Sequence, residues 1–303
     1  MSEHYPRIRL HTESGYLLFR EGLSLCFYMR RPHVEVASAV LRALEVYLRA
    51  VGPRALGQYA NDEGQWQPLD ATGWATTRRD LLESQGTVVH LIGPSGSEKQ
   101  YGFEYHGKPL NDPSWRNATG DVSAVSFWLP TEFLEQQGPA QVRGLAVELA
   151  TLLPFCSGHA GLSFNGELDL LGVMPEVHKR CFRYPGLDIP ALGSLSQKLG
   201  TRVRGVSWLN FLGQPVLGAL GGASQLRARL QSPDTSVQEL EGARAVVTLG
   251  SWPEAGDTEG GDVLPAYREL ARVLEPWLYF EERSFHPDFP PEDQRRWERR
   301  FLD

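Results

Sequence analysis

Two side chains of types that could carry out hydrolysis, Ser157 and His159, stand two residues apart in the sequence. In an extended segment, residues at this spacing point to the same face, so a serine nucleophile and an imidazole base would lie side by side. The GxSxG pattern is missing, because Phe155 stands where its first glycine would be. We favour a capping or core hydrogen bond for each side chain, and keep a small-molecule hydrolase as an alternative.

Carboxylates are concentrated in the segment SWPEAGDTEGGD, which offers the side chains Trp252, Glu254, Asp257, Glu259 and Asp262. Its glycine and proline content predicts a loop. A carboxylate pair could serve a glycosidase-like hydrolase, which needs two carboxyl groups on rigid walls. The other interpretations are a solvated acidic loop, or a surface that offers negative charge to a basic partner with tryptophan as its anchor.

Metal and nucleotide sites are not predicted. The eight histidines are scattered, without an HxxxH or HExxH pattern. His178 and Cys181 would meet on one helical face, but two ligands do not complete a zinc site. The chain has no GxxxxGK[ST] or GxGxxG motif, so the glycines near residue 220 predict a flexible turn. We therefore expect no metal and no cofactor.

The elements that must position these residues alternate between strands and helices, with several hairpin-type links. This pattern predicts an α+β fold, with largely antiparallel or mixed sheets covered by amphipathic helices. A faint similarity between two strand–helix–strand stretches suggests two related lobes, 1–120 and 121–303, with one continuous domain as the alternative. We predict strands over 17–29, 55–60, 87–92, 100–106, 122–129, 159–165, 203–212, 236–240 and 244–249, helices after Pro32, Thr131, Pro139 and Gly222 and over 264–275 and 291–301, and a loop over 61–75.

Charge excludes some classes of function. The chain of 303 residues has a net charge of -7, and residues 251–303 hold 13 acidic residues against 7 arginines. A nucleic-acid-binding surface should be basic, so this distribution argues against direct nucleic-acid binding and favours a basic partner. The start of the chain lacks a signal peptide, no apolar run reaches about 18 residues, and the three cysteines form no disulfide framework. We expect a cytoplasmic protein without a membrane span.

Several segments, in a consistent order from about residue 20 to the end, resemble one family: VSAVSFWLP, FCSGHAGLSFNG, FRYPGLDIP, LGTRVRGVSWLNFLGQPVLGALGG, VTLGSWPEAGD, LPAYRELARVLEPWLY and RRWERRFLD. The chain resembles the type VI secretion immunity family named for protection against VRR-Nuc nuclease effectors. The resemblance implies a non-enzymatic protein of bacterial competition, which binds a cognate toxin, a nuclease, and blocks its active site or its access to DNA.

This resemblance agrees with the acidity of the C-terminal region, since a nuclease that holds phosphate tends to have a basic active-site rim. We therefore assign partner binding to the acidic segment and its tryptophan, the side chains named above. Two alternatives stay open: a small-molecule hydrolase that uses Ser157 and His159 or a carboxylate pair, and a structural adaptor of a secretion system.

Overall fold

The computed structural model describes residues 4–98, 101–112, 120–281 and 288–303. Within these ranges the chain forms one antiparallel sheet of eleven strands with ten α-helices. The predicted α+β class with antiparallel strands is therefore confirmed.

Strands and helices follow one another along the whole described chain. The strands are β1 (Arg9–His11), β2 (Leu17–Met29), β3 (Gln58–Ala60), β4 (Trp66–Pro68), β5 (Thr87–Ile92), β6 (Gly102–Gly107), β7 (Ser123–Pro130), β8 (Ser157–Gly166), β9 (Leu209–Leu212), β10 (Thr235–Leu240) and β11 (Arg244–Leu249). The helices are α1 (His33–Val51), α2 (Ala71–Glu83), α3 (Thr131–Gln137), α4 (Pro139–Leu152), α5 (Val173–Cys181), α6 (Leu192–Leu195), α7 (Val216–Ala219), α8 (Gly222–Arg229), α9 (Pro265–Leu274) and α10 (Pro291–Glu298).

The chain divides into two compact units. Unit 1 holds Met1–Ser24, Ser157–Ala191 and Arg202–Asp303. Unit 2 holds Leu25–Cys156 and Leu192–Thr201. The predicted lobe boundary and the suggested duplication stay predictions.

In unit 2 the strands lie in the order β7, β6, β5, β3, β4. Helix α1 covers one face of this part of the sheet, because its apolar residues recur at helical spacing and are buried. Near the C-terminal end of α1, Tyr47 is fully buried, and its hydroxyl donates a 2.6 Å hydrogen bond to the carbonyl oxygen of Trp128. The helix ends at Gly52, whose φ of 100° favours glycine.

The predicted loop over 61–75 is partly wrong, since it contains β4 and the first turn of α2. The carboxylate of Asp70 accepts hydrogen bonds from the backbone N–H groups of Thr72 and Gly73. Such an N-cap satisfies donors that would otherwise lack a partner at the start of a helix. The helix therefore begins within the stretch that was predicted as a loop.

In unit 1 the strands β10, β11, β9 and β8 are neighbours in that order. The apolar residues of β9 and the tryptophan before it are buried here: Trp208, Leu209, Phe211 and Leu212. The predicted strand over 203–212 is too long, because β9 begins only at Leu209. The side-chain amide of Asn210 bonds both backbone polar groups of Ser207, and this local turn occupies groups that a longer ladder would need.

The C-terminal segment, α10 and the residues after it, packs against the rest of unit 1 through aromatic side chains. Trp297 is fully buried and Phe301 nearly so. The guanidinium of Arg300 lies 3.7 Å from the centroid of the Trp297 ring. Arg299 pairs with Asp303 at 2.9 Å, one helical turn further along. Arg299 and Arg300 are therefore engaged within the protein.

Candidate functional site in the acidic loop

The five predicted partner-binding residues lie in one loop of unit 1, between β11 and α9; we call residues 252–262 the acidic loop. Its first part is held by His4. The His4 ring stacks on Trp252, with centroids 4.9 Å apart and planes 7° apart. Its Nδ1 atom lies 2.6 Å from a carboxylate oxygen of Glu254. Trp252 is therefore part of an internal aromatic contact, as well as of the surface.

Asp257 is the anchor of the second part of the acidic loop. Its two carboxylate oxygens accept hydrogen bonds from Nε and Nη2 of Arg183, at 3.0 and 2.8 Å. The backbone N–H groups of Glu259 and Gly260 also donate to this carboxylate. Hydrogen bonds from Arg183 lower the pKa of Asp257, since they favour the charged form. Asp257 therefore organises the loop.

The other carboxylates of the acidic loop differ in how far they are engaged. Burial raises the pKa of Glu254, and the hydrogen bond from His4 opposes that shift. Glu259 contacts Arg183 at 2.5 Å, yet its side chain is 68% exposed. Asp262 is exposed, and its carboxylate accepts the backbone N–H of Asp257. Glu259 and Asp262 are therefore the carboxylates most accessible to a partner.

Ser157 and His159 hold structural contacts in unit 1. The Ser157 hydroxyl is buried and donates to the carbonyl oxygen of Arg202 at 2.9 Å. The Nε2 atom of His159 lies 3.4 Å from a carboxylate oxygen of Asp188, and both side chains are largely buried. These contacts are of the capping or core kind that we favoured from the sequence.

Asp188 is the centre of a buried charge cluster that sequence reasoning missed. Arg300 lies 3.7 Å from its second carboxylate oxygen, and Arg204 is a further nearby cation. Burial alone would raise the pKa of Asp188, but the hydrogen bond from His159 and the charges of both arginines lower it to about 2. Burial lowers the pKa of Arg300 to about 10. Because these groups are distant in sequence, no local pattern indicated the cluster.

His178 and Cys181 do not point to a shared metal ion. The imidazole of His178 lies 2.9 Å from a carboxylate oxygen of Asp293, on the C-terminal helix. The thiol of Cys181 donates to the backbone carbonyl of His178. Burial raises the pKa of this thiol to about 12, so it stays protonated at neutral pH.

A second cluster missed from the sequence lies on the β5–β6 hairpin of unit 2. His90, Glu104 and His106 offer ligand atoms that all lie within 4.8 Å of one another. Burial would raise the pKa of Glu104, but hydrogen bonds from both histidines lower it to about 2. The signal in the sequence is the alternation of Glu104 and His106 on one strand, combined with a predicted hairpin partner that carries His90.

The comparisons with known proteins agree with the resemblance. The family model TsiV, described as type VI immunity for VRR-NUC, matches residues 39–301. One solved structure, the Pseudomonas aeruginosa T6SS protein PA0821, has the same fold with a TM-score of 0.79 and 23% sequence identity; the match covers 98% of this chain and 88% of that chain. The comparison with curated proteins gives no significant match.

Among the described helices, none combines the length and the apolar character that crossing a bilayer requires. The family match extends over most of the chain and covers most of each unit. The chain belongs to the TsiV family, whose members provide type VI immunity for VRR-Nuc effectors.

Proposed function

We propose that this chain binds a VRR-Nuc nuclease effector of a type VI secretion system and neutralises it by covering its active site or its DNA-binding surface. Family membership supports the class of the partner. In this proposal the acidic loop is the contact surface, and the chain itself catalyses no reaction. Binding takes place in the cytoplasm, where the nuclease would meet DNA.

The observation that carries the proposal is an acidic loop whose backbone is fixed while two of its carboxylates stay exposed. The backbone N–H of Ala255 donates to the carbonyl of His4 at 2.8 Å, and the N–H of Gly186 donates to the carbonyl of Ala255 at 2.7 Å. The N–H of Thr258 donates to the carbonyl of Arg183 at 3.0 Å. A surface held in this way pays less conformational entropy on binding.

The electrostatic argument concerns the nuclease. An enzyme that holds the phosphates of DNA needs positive charge around its active site. An exposed acidic surface would attract that region, increase the rate of association and exclude the DNA backbone. Glu259 and Asp262 suit this role because neither is buried against the rest of unit 1.

The first experiment is a pull-down of this protein with a VRR-Nuc effector from the same genome, combined with a DNA-cleavage assay on the same mixture. We expect a complex, and a loss of cleavage that is complete at equal concentrations. Absence of binding and of protection would contradict the proposal. Turnover of an ester or glycoside by the purified chain would instead support the hydrolase alternative.

A second experiment tests the assigned surface. The double variant Glu259→Lys/Asp262→Lys reverses the two exposed carboxylates of the acidic loop. Asp62→Lys/Glu63→Lys is the matched control, since it reverses two exposed carboxylates of a loop in unit 2. We expect the acidic-loop variant to associate about tenfold more slowly at low salt, with a smaller effect in the control. Equal association rates for the two variants would show that the acidic loop is not part of the interface.

A further inference from the structure

The hairpin of β5 and β6 brings together three side chains that the proposed immunity function does not use. His90 and Glu104 are directly opposite each other in the antiparallel register. His106 follows two residues after Glu104 on the same strand, so all three side chains share one face of the hairpin. The register of two regular strands therefore positions the cluster, and no flexible loop is needed to form it.

The atoms converge at ligand distances. The Nε2 atom of His106 lies 2.7 Å from Oε1 of Glu104, and the Nε2 atom of His90 lies 3.3 Å from the same oxygen. Zinc–nitrogen and zinc–oxygen bonds of about 2.0–2.2 Å in a tetrahedron place neighbouring ligand atoms roughly 3.4 Å apart. Small side-chain rotations would therefore open enough room for an ion between the three atoms.

The three side chains differ in how far they are buried. The side chains of Glu104 and His106 are 19% and 13% exposed, whereas that of His90 is 40% exposed. The helix α6 approaches the His106 ring at Gly193, where a Cβ atom would lie only 3.4 Å from Nε2. The absence of a side chain at Gly193 keeps space beside this nitrogen.

We infer that His90, Glu104 and His106 form a binding site for a divalent transition-metal ion, with Zn²⁺ as the ion that fits best. Two imidazoles and one carboxylate suit zinc, whereas calcium and magnesium prefer oxygen ligands. Three protein ligands leave a fourth coordination position, which a water molecule can fill. The bound ion would link β5 to β6 and stabilise the hairpin.

The test uses the full chain, freed of metal by a chelator and dialysed. Zn²⁺ is titrated in competition with a chromophoric chelator near pH 7.5, and Co²⁺ is added separately to record its visible absorption. We expect one Zn²⁺ per chain with micromolar or tighter affinity, a Co²⁺ spectrum of tetrahedral intensity, and a higher melting temperature with the metal.

His90→Ala is the main variant, because this ligand is the most exposed and its removal leaves the core intact. We expect its Zn²⁺ affinity to fall about tenfold or more. Glu104→Gln, which preserves shape, should weaken binding similarly. His178→Ala is the matched control, since it removes another imidazole that contacts a carboxylate, in unit 1, and it should bind as the wild type does. Melting curves in the chelator verify that each variant folds.

Two results would overturn the inference. Wild-type protein that binds neither ion would show that the cluster is an ion pair between histidines and glutamate only. Zn²⁺ binding that is equally tight in a folded His90→Ala variant would place the ion elsewhere. Neither measurement involves the effector. The proposed metal site and the proposed immunity function are therefore tested independently of each other.

Discussion

Replacing Asp188 by asparagine tests whether the buried charges of unit 1 stabilise the fold. The amide keeps the size of the side chain but removes the negative charge that lies 3.4 Å from His159 and 3.7 Å from Arg300. The side chains of Arg300 and Arg204 are only 9% and 5% exposed, so water cannot replace the lost carboxylate. Removing one partner of a buried ion pair typically lowers the free energy of unfolding by about 3–5 kcal/mol.

The pKa of Asp188 gives an independent magnitude. The folded pKa of about 2 lies below the ordinary value of 3.8. With about 1.4 kcal/mol for each pKa unit, the ionised carboxylate stabilises the folded state by about 2 kcal/mol. Because the folded pKa is depressed, this contribution is present above the unfolded pKa and is lost as the pH falls through the folded pKa. We therefore expect Asp188→Asn to cost about 2–4 kcal/mol near pH 7.

The assay is guanidinium denaturation of wild type and Asp188→Asn near pH 7, 5 and 3. Asp62→Asn is the control, since it changes an exposed carboxylate of unit 2 and should stay within about 0.5 kcal/mol of the wild type. The difference caused by Asp188→Asn should be smaller near pH 3 than near pH 5 or 7. Equal stabilities near pH 7, or a difference that does not shrink in acid, would refute the reasoning.

Four further outcomes are expected. Near pH 8, Cys181 should be labelled by a thiol reagent only after denaturation, because burial raises its pKa to about 12; mass spectrometry that finds label on the native protein would contradict this. Asp70→Ala removes the N-cap of α2, so the free energy of unfolding should fall by about 1 kcal/mol in denaturant, and an unchanged value would exclude a capping role. Gly186→Ala would place a Cβ 2.0 Å from the carbonyl oxygen of Glu254; calorimetry should show weaker effector binding, and wild-type affinity would argue that the loop position is unimportant. Arg183→Gln should make both association at low salt and dissociation faster in surface plasmon resonance, since the acidic loop gains negative charge and loses an anchor; unchanged rates would separate the loop from the interface.

Much of the fold could be predicted because its signals are local. The long helix α1 follows from apolar residues at helical spacing between Pro32 and Gly52. The hairpin of β10 and β11 follows from two short strands around Glu241 and Gly242. The first turn of α2 was missed because one cap, the carboxylate of Asp70, outweighed a glycine and the residues around it. Capping residues are therefore as informative as periodicity for where a helix begins.

The cluster of His90, Glu104 and His106 could not be predicted for a different reason, the register of its two strands. The sequence predicted both strands of the β5–β6 hairpin, over 87–92 and 100–106. If the end of the first predicted strand, Ile92, paired with the start of the second, residue 100, then His90 would lie opposite Gly102. The observed register is shifted by two residues and sets His90 opposite Glu104. Strand alternation fixes which residues share a face, whereas the register depends on the turn and the surrounding packing. The sequence shows that the residues have side chains able to bind a metal, but it does not show that the three side chains lie close together.

In the acidic loop, one part could be predicted from local sequence and another depends on contacts distant in the chain. Composition identified its carboxylates, but Arg183, which anchors Asp257, is 74 residues away in the chain. Because Asp257 already has its bidentate partner, a basic group of an effector gains little there and would have to replace an existing pair. Asp262 and Glu259 offer charge at the exposed part of the loop, where charges act mainly on the rate of encounter. Reversing these two should therefore slow association more than it speeds dissociation, and a change confined to dissociation would place them in a desolvated interface core.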